Sequence, residues 1–282
     1  MKQPRENPVA PTSRWMAAAR ARETEREDRL FSDPLAASLA GDEGFGWLEQ
    51  MESPYGGATG PGMYAVVRTR YFDDFLLEAC ERSGAEQVVL LAAGLDTRAF
   101  RLEWPSGVKL FELDLPEVLG HKEAIIKEAR ATPNCERHLV SADLQRDDWP
   151  DALEGCGYDP EKPSVWLIEG LLFYLTRRSV RELLDKVGTL SGPGERLGLD
   201  LMNWNMMFSP VAWTQMNALA RRGAKGRFGT NVPEEFLADH GWKATAVQFG
   251  DADANYGRLP TAPAPRPIPG VPRSFFVTAA RL

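Results

Sequence analysis

The stretch that most constrains this chain is Gln87 to Leu102, QVVLLAAGLDTRAFRL. Val88 to Ala93 form an unbroken apolar run, which turns at Gly94 into the short segment Leu95-Asp96-Thr97-Arg98. A short run that is apolar on both faces reads as a strand buried on both sides, as in a parallel sheet. Gly94 falls where such a strand must turn, and without a Cβ it lets a ligand approach the backbone. In open α/β sheets a nucleotide-like ligand settles at that place, beyond the carboxyl end of the first strand. A buried strand with a ligand-free glycine turn is the plainer reading, so the rest of the chain has to decide.

Acidic residues recur where that ligand would lie. A second strand, Val108 to Leu113, ends in Glu112-Leu113-Asp114, and Asp114 stands 20 positions beyond Gly94. A carboxylate at that spacing commonly grips a pair of ribose hydroxyls, because it accepts two hydrogen bonds from a vicinal diol. A third strand, Arg137 to Ala142, ends in Asp143-Leu144, and a fourth, Ser164 to Ile168, ends in Glu169-Gly170. In a parallel sheet Gly94, Asp114, Asp143 and Glu169 converge on one edge. A fifth strand, Arg196 to Leu201, and two closing strands, Trp242 to Phe249 and Ser274 to Ala280, complete a doubly wound, seven-stranded, mostly parallel α/β sheet. The loop at Gly94 has neither GxGxxG nor GKS/T, so it lacks a phosphate cradle. An adenosine compound without phosphates fits, and S-adenosylmethionine (SAM) is the candidate.

The flanking segments suggest a cap and a lid on one domain: a helical cap over 1–67, a core over 68–201, a lid over 202–241 and closing strands over 242–282. Residues 1–12 are expected to be disordered. Ser13 to Arg29 is alanine-rich and densely charged, which suits a largely exposed helix with i,i+4 ion pairs. Asp33-Pro34 should cap a helix from Leu35 to Ala40 that stops at Gly41. Ser53 to Gly62 is a glycine-rich loop near the mouth of a site. Arg68 to Arg82 is amphipathic, with Phe72, Phe75, Leu76, Ala79 and Cys80 on one stripe. Arg68 and Arg70 fall at its N-terminal end, where a cation opposes the helix dipole, so at least one should have an anionic partner. Thr176 caps a helix carrying Val180, Leu183, Leu184, Val187 and Leu190. Met202 to Thr230, rich in Met, Trp, Phe and Asn, suits an adaptable cover over an apolar ligand or a plain helical core. Pro233 starts a short helix reaching His240, and the six prolines of Leu259 to Pro272 make a stiff loop within the domain.

A net charge of −7 argues against a general affinity for nucleic acid or anionic membrane, since phosphate binding needs excess Lys and Arg. Three scattered cysteines and three histidines form no zinc-ligand pattern, and the odd cysteine count fits a reducing compartment. The polar, proline-bearing N-terminus is no signal peptide, and no apolar run approaches the ~18 residues of a membrane span, so a cytoplasmic protein is expected.

From about Ala17 to Leu201 the chain resembles the bacterial branch of the leucine carboxyl methyltransferase family. The resemblance rests on AARARETEREDRLFSDPLA, VRTRYFDDFL, VVLLAAGLDTRAFRL, FELDLP, SADL and IEGLLFYL, taken as an ordered set. It implies a SAM-dependent O-methyltransferase in which Arg68 pairs with the cofactor's carboxylate, Gly94 lies against its methionine part and Asp114 holds the ribose. Asp143 and Leu144 would bracket the adenine, and Glu169 would face the cofactor's amino group or the substrate. Arg20 or Arg22 would supply a basic cofactor contact from the N-terminal segment. Ala92-Ala93-Gly94 departs from the GxG of many methyltransferases. The products would be S-adenosylhomocysteine (SAH) and the methyl ester of a small, secondary-metabolite or polyketide-type acid. No metal is implied, and the protein would act as a monomer or homodimer. A carboxylate near pKa ~4 needs no general base, whereas a phenol near ~10 would need one, for which His240 is the lid-side candidate. A phenolic O-methyltransferase and a SAM-binding regulatory module without turnover are the rival readings.

Overall fold

The computed structural model describes residues 9–52, 60–146, 148–208 and 226–282. Seven strands, β1 (Gln87–Leu91), β2 (Lys109–Asp114), β3 (Glu136–Ser141), β4 (Ser164–Ile168), β5 (Arg196–Met202), β6 (Trp242–Gln248) and β7 (Ser274–Arg281), form one sheet in the order β3-β2-β1-β4-β5-β7-β6. The first five are parallel to one another, and β7 runs antiparallel between β5 and β6. Each expected strand is present within a residue or two of its expected ends. Every residue of β1 and β4 is buried, because alternate side chains enter two different cores. Val89, Leu91, Trp166 and Ile168 pack with Leu183, Leu184 and Val187 of a helix over Arg177–Thr189 on one face. Val88, Leu90, Val165 and Leu167 pack with Phe72, Phe75 and Leu76 on the other. Each such fully buried side chain contributes about 1.5–3 kcal/mol, so the continuous apolar runs that announce the strands are also the main stabilisation of the fold. Thr176 caps the Arg177–Thr189 helix as expected, its hydroxyl accepting from Ser179 N at 3.1 Å.

The N-terminal third differs from its sequence reading. Its helices are α1 (Val9–Thr24), α2 (Ala36–Glu52) and α3 (Pro61–Ser83). Residues 9–12, expected to be disordered, are helical. The expected exposed helix is buried: Trp15, Ala17, Ala18, Ala19, Ala21, Arg20 and Glu23 are all under 10% exposed. Its buried charges find distant partners as well as the one-turn Glu23–Arg26 pair. Arg20 Nε donates to Asp33 at 2.8 Å, and Glu23 accepts from Leu30 N and pairs with Arg258. Gly41 kinks α2 (φ 56°, ψ 177°) instead of ending it. Asp33 spends its carboxylate on Arg20 and on the Thr97 hydroxyl, at 2.6 Å, and does not cap α2. Because α3 already begins at Pro61, Arg68 and Arg70 lie in its body and the dipole argument does not apply to them. Most of the glycine-rich loop (53–59) and residues 209–225 of the expected lid lie outside the described residues. The lid's described parts include a short helix, Trp204–Phe208, a buried return at Phe228 to Thr230 and a second short helix, Pro233–Ala238.

Candidate functional site

The chain reverses its winding between β1 and β4, and the crevice beyond their carboxyl ends is where α/β sheets take ligands. Among the described residues a cavity of about 310 Å³ opens there. Its floor is the turn from Ala92 to Asp96 together with Glu169 and Gly170, and α1 and α3 form its walls. Its far side is apolar, with Phe173, Met202, Met206 and Phe249.

A chain of buried ion pairs holds the floor and walls together. Arg68 Nε donates to Glu169 Oε1 at 2.9 Å, and Arg68 Nη1 donates to Asp200 Oδ2 at 2.8 Å. The Tyr64 hydroxyl donates to the same Asp200 oxygen at 2.9 Å, and Gly170 N donates to Asp200 Oδ1 at 2.6 Å. Arg98 Nη2 lies 2.9 Å from Glu169 Oε2, Arg98 Nε donates to Asp73 at 2.7 Å, and Arg98 also pairs with Asp96. Arg101 makes a two-pronged pair with the same Asp73. Carboxylates removed from water in this way persist only when matched by cations and hydrogen bonds, and here each is matched. Burial pushes the Asp96 carboxyl up, but Arg98, Lys122 and Arg101 outweigh it and hold it at about 2. Glu169 is likewise raised by burial and lowered further by Arg98 and Arg68, ending below the usual carboxylate range. Burial raises the Tyr64 phenol, and it carries Tyr174 to about 12. The cavity's acids are therefore ionised and its phenols neutral near pH 7.

Of the residues singled out in the sequence, the cavity collects Arg68, Gly94, Glu169 and Arg20. Arg20, not Arg22, faces it: Arg20 Nη2 donates to Leu95 O at 2.7 Å, whereas Arg22 turns to Glu49 and Glu52. Asp114 lies just behind the floor, its carboxylate accepting from Gly94 N and Leu115 N at 2.7 Å each. Asp143, which accepts from Gln145 N at 3.0 Å, and Leu144, packed against the sheet core, stand at the end of β3 and do not line this cavity. His240 is a correction. Its Nδ1 pairs with Asp185 at 2.7 Å and its ring abuts Phe236, away from the cavity wall, so it is no base for this site. Sequence reasoning missed Tyr64, Asp200, Asp96 and Arg98 as site residues. Asp200 and Asp96 carried the same signal as the acids that were found, an acidic residue at or just after a strand end, whereas Tyr64 carried none.

Trp15 Nε1 is a buried donor of the cavity without a hydrogen bond, and Glu169 Oε2 is an acceptor whose one partner is the Arg98 ion pair at 2.9 Å. A ligand bearing both a carboxylate and an ammonium would engage both. Arg68 Nη2 has only the Met16 sulfur, at 3.8 Å. A Cβ placed on Gly94 would meet nothing closer than 3.6 Å, so the backbone there stands open to a ligand. These residues fit the amino-acid part of SAM. No group of His, Cys, Asp and Glu suited to a metal occurs among the described residues.

Residues 13–188 match the model of the leucine carboxyl methyltransferase family. A Frankia alni protein with the provisional name S-adenosyl-L-methionine-dependent methyltransferase is 40% identical over 263 residues, covering 89% of this chain and 90% of that one. A Streptomyces avermitilis protein with the same provisional name is 38% identical over 272 residues, covering 92% and 93%. Among solved structures, a DUF574-family protein of Streptomyces avermitilis superposes with a TM-score of 0.65 at 14% identity, covering 94% of this chain and 97% of that one. A methyltransferase, provisionally so named, of Thermobifida fusca gives 0.58 at 17% identity, covering 92% and 96%. At those identities the superpositions speak to the fold.

Proposed function

Because this chain belongs to the leucine carboxyl methyltransferase family and is a SAM-dependent methyltransferase, we propose that it methylates a carboxylate of a small, largely apolar acid, giving the methyl ester and SAH. The observation that carries this reading is the absence of a usable base in the described cavity wall. Its carboxylates, Glu169 and Asp96, are held ionised below their usual range, so either would be a very weak base toward a phenol near pKa ~10. Its phenols are neutral, and no histidine lines it. The stretches 53–59 and 209–225 contain no His, Asp or Glu either. An acceptor that arrives already ionised needs no base.

Bound SAM supplies a methyl group on a sulfonium, a leaving group that needs no protonation. The chain's own residues then have to bind, align and exclude water. Arg68 Nη2 would receive the cofactor's carboxylate and Glu169 Oε2 its ammonium. Asp114, at the end of β2, would reach the ribose, and Asp143 and Leu144, at the end of β3, the adenine. Phe173, Met202, Met206 and Phe249 would hold the apolar body of the acid. An acceptor oxygen uses its own electron pair to bond the methyl carbon, the C–S pair returns to sulfur, and no proton moves. The test is incubation with SAM and a panel of aromatic and aliphatic acids and phenols, read by mass spectrometry. An alkali-labile ester whose rate is flat from about pH 6 to 9 supports the reading. An alkali-stable ether, with a rate rising as the phenol ionises, replaces it with the phenolic one.

A further inference from the structure

Asp200, the fifth residue of β5, is 1% exposed. Both of its oxygens are in use: Oδ2 takes Arg68 Nη1 and the Tyr64 hydroxyl, and Oδ1 takes Gly170 N. Those three partners meet where the charged floor joins the apolar side of the cavity. Arg68 is a long side chain with several rotatable bonds, and two carboxylates fix its plane, Glu169 at Nε and Asp200 at Nη1. The third nitrogen, Nη2, is left facing the soft Met16 thioether. The two carboxylates are not equivalent. Glu169 divides its two oxygens between Arg68 and Arg98 and lines the cavity, whereas Asp200 is fully buried and takes Arg68 and Tyr64 on one oxygen and Gly170 N on the other. Gly170 holds a left-handed turn (φ 71°) against the guanidinium, and a Cβ there would lie 3.3 Å from Arg68 Nη1. The same carboxylate fixes Tyr64, whose ring meets Phe249 edge-on at 5.3 Å in the apolar wall.

We propose that Asp200 is a positioning residue that aims the Arg68 guanidinium at the carboxylate of the cofactor's amino-acid part and, through Tyr64, ties that aim to the wall facing the methyl acceptor. The proposal rests on the assignment of Arg68 to the cofactor's carboxylate. Asp200 touches neither ligand itself, and its effect is confined to the amino-acid half of the cofactor.

The test compares two ligands by calorimetry: SAH, and 5′-methylthioadenosine, which has the adenosine half and no amino acid. Asp200→Asn puts an amide in place of the carboxylate. It is expected to weaken SAH about tenfold, the scale of one hydrogen bond to a charged group, while leaving methylthioadenosine within about twofold. Asp200→Glu, which keeps the buried charge and displaces it by one methylene, should give the same selective loss, so the test survives if the amide variant does not fold. Equal losses for both ligands would mean a merely structural role, and no loss for either would mean none; each overturns the proposal. Arg68→Met separates the premise from the proposal. If Arg68→Met leaves the ratio of the two affinities at its wild-type value, the assignment of Arg68 fails, and the proposal with it. If Arg68→Met is selective and the Asp200 variants are not, Asp200 alone is wrongly assigned.

Discussion

Ala92 holds φ at +56°, a conformation that costs a residue with a Cβ about 1–3 kcal/mol. It follows the last residue of β1, two positions before Gly94, at the place where many methyltransferases have the first glycine of GxG. Ala92→Gly should relieve that strain. After subtraction of the ~0.4–1 kcal/mol by which glycine favours the unfolded chain, a net gain of about 1 kcal/mol is expected, read as a raised midpoint in chemical denaturation. Asp96 gives a prediction for acid. Its folded pKa of about 2 lies below the ordinary value of 3.8, so its contribution is complete above about pH 4 and is lost as pH falls toward 2. The shift corresponds to about 2 kcal/mol. Urea titrations between pH 5 and 2 should show a shallower acid limb for Asp96→Asn than for wild type, on a chain less stable at neutral pH. Asp114 accepts two backbone N–H bonds, and Asp114→Ala removes both together with the expected grip on the ribose. Calorimetry should find SAH binding weaker by about 1–3 kcal/mol, and unchanged affinity would remove Asp114 from the cofactor site.

Among the elements, the strands were legible and the cap was not. A strand buried on both faces writes itself as an apolar run, and a strand end in an α/β sheet writes itself as glycine or an acid, so Gly94, Asp114, Asp143 and Glu169 could be found in order. α1 hides its burial behind Arg20, Arg22 and Glu23, because a charge paired inside the protein looks the same in sequence as one facing water. Arg20 with Asp33 and Glu23 with Arg258 are partners 13 and 235 positions apart, beyond the reach of any local pattern. One glycine sets how α1 and α2 meet. A Cβ on Gly44 would lie 2.6 Å from Arg14 O, and backbone cannot swing aside as a side-chain end can. Gly44→Ala should therefore cost about 1–3 kcal/mol through overpacking and should loosen α1, which carries Ser13, Trp15 and Arg20 to the cavity. Hydrogen exchange is expected to quicken in α1 and α2 while β1 and β4 stay protected, with SAH affinity reduced.

For the molecule as a whole, the cap, the sheet and the segment after β6 all wall or brace one cavity, so a ligand bound there should stabilise them together. SAH at about 100 times its dissociation constant should add about 2.7 kcal/mol, seen in calorimetry as one transition moved upward rather than a split one. The last tie in this arrangement is Arg258, whose guanidinium reaches back to Glu23 and to Asp28, at 2.7 Å for the latter. β7 in turn slots between β5 and β6 and brings Ser274 to the cavity edge. A chain emerging from the ribosome makes its cap before Arg258 and β7, and until those are made the cap lacks these partners. β1 to β5 can pair as they appear, but the cofactor's chamber closes only after the final strand arrives. A nascent chain stalled short of β7 would carry every residue assigned to the cofactor yet lack the finished site.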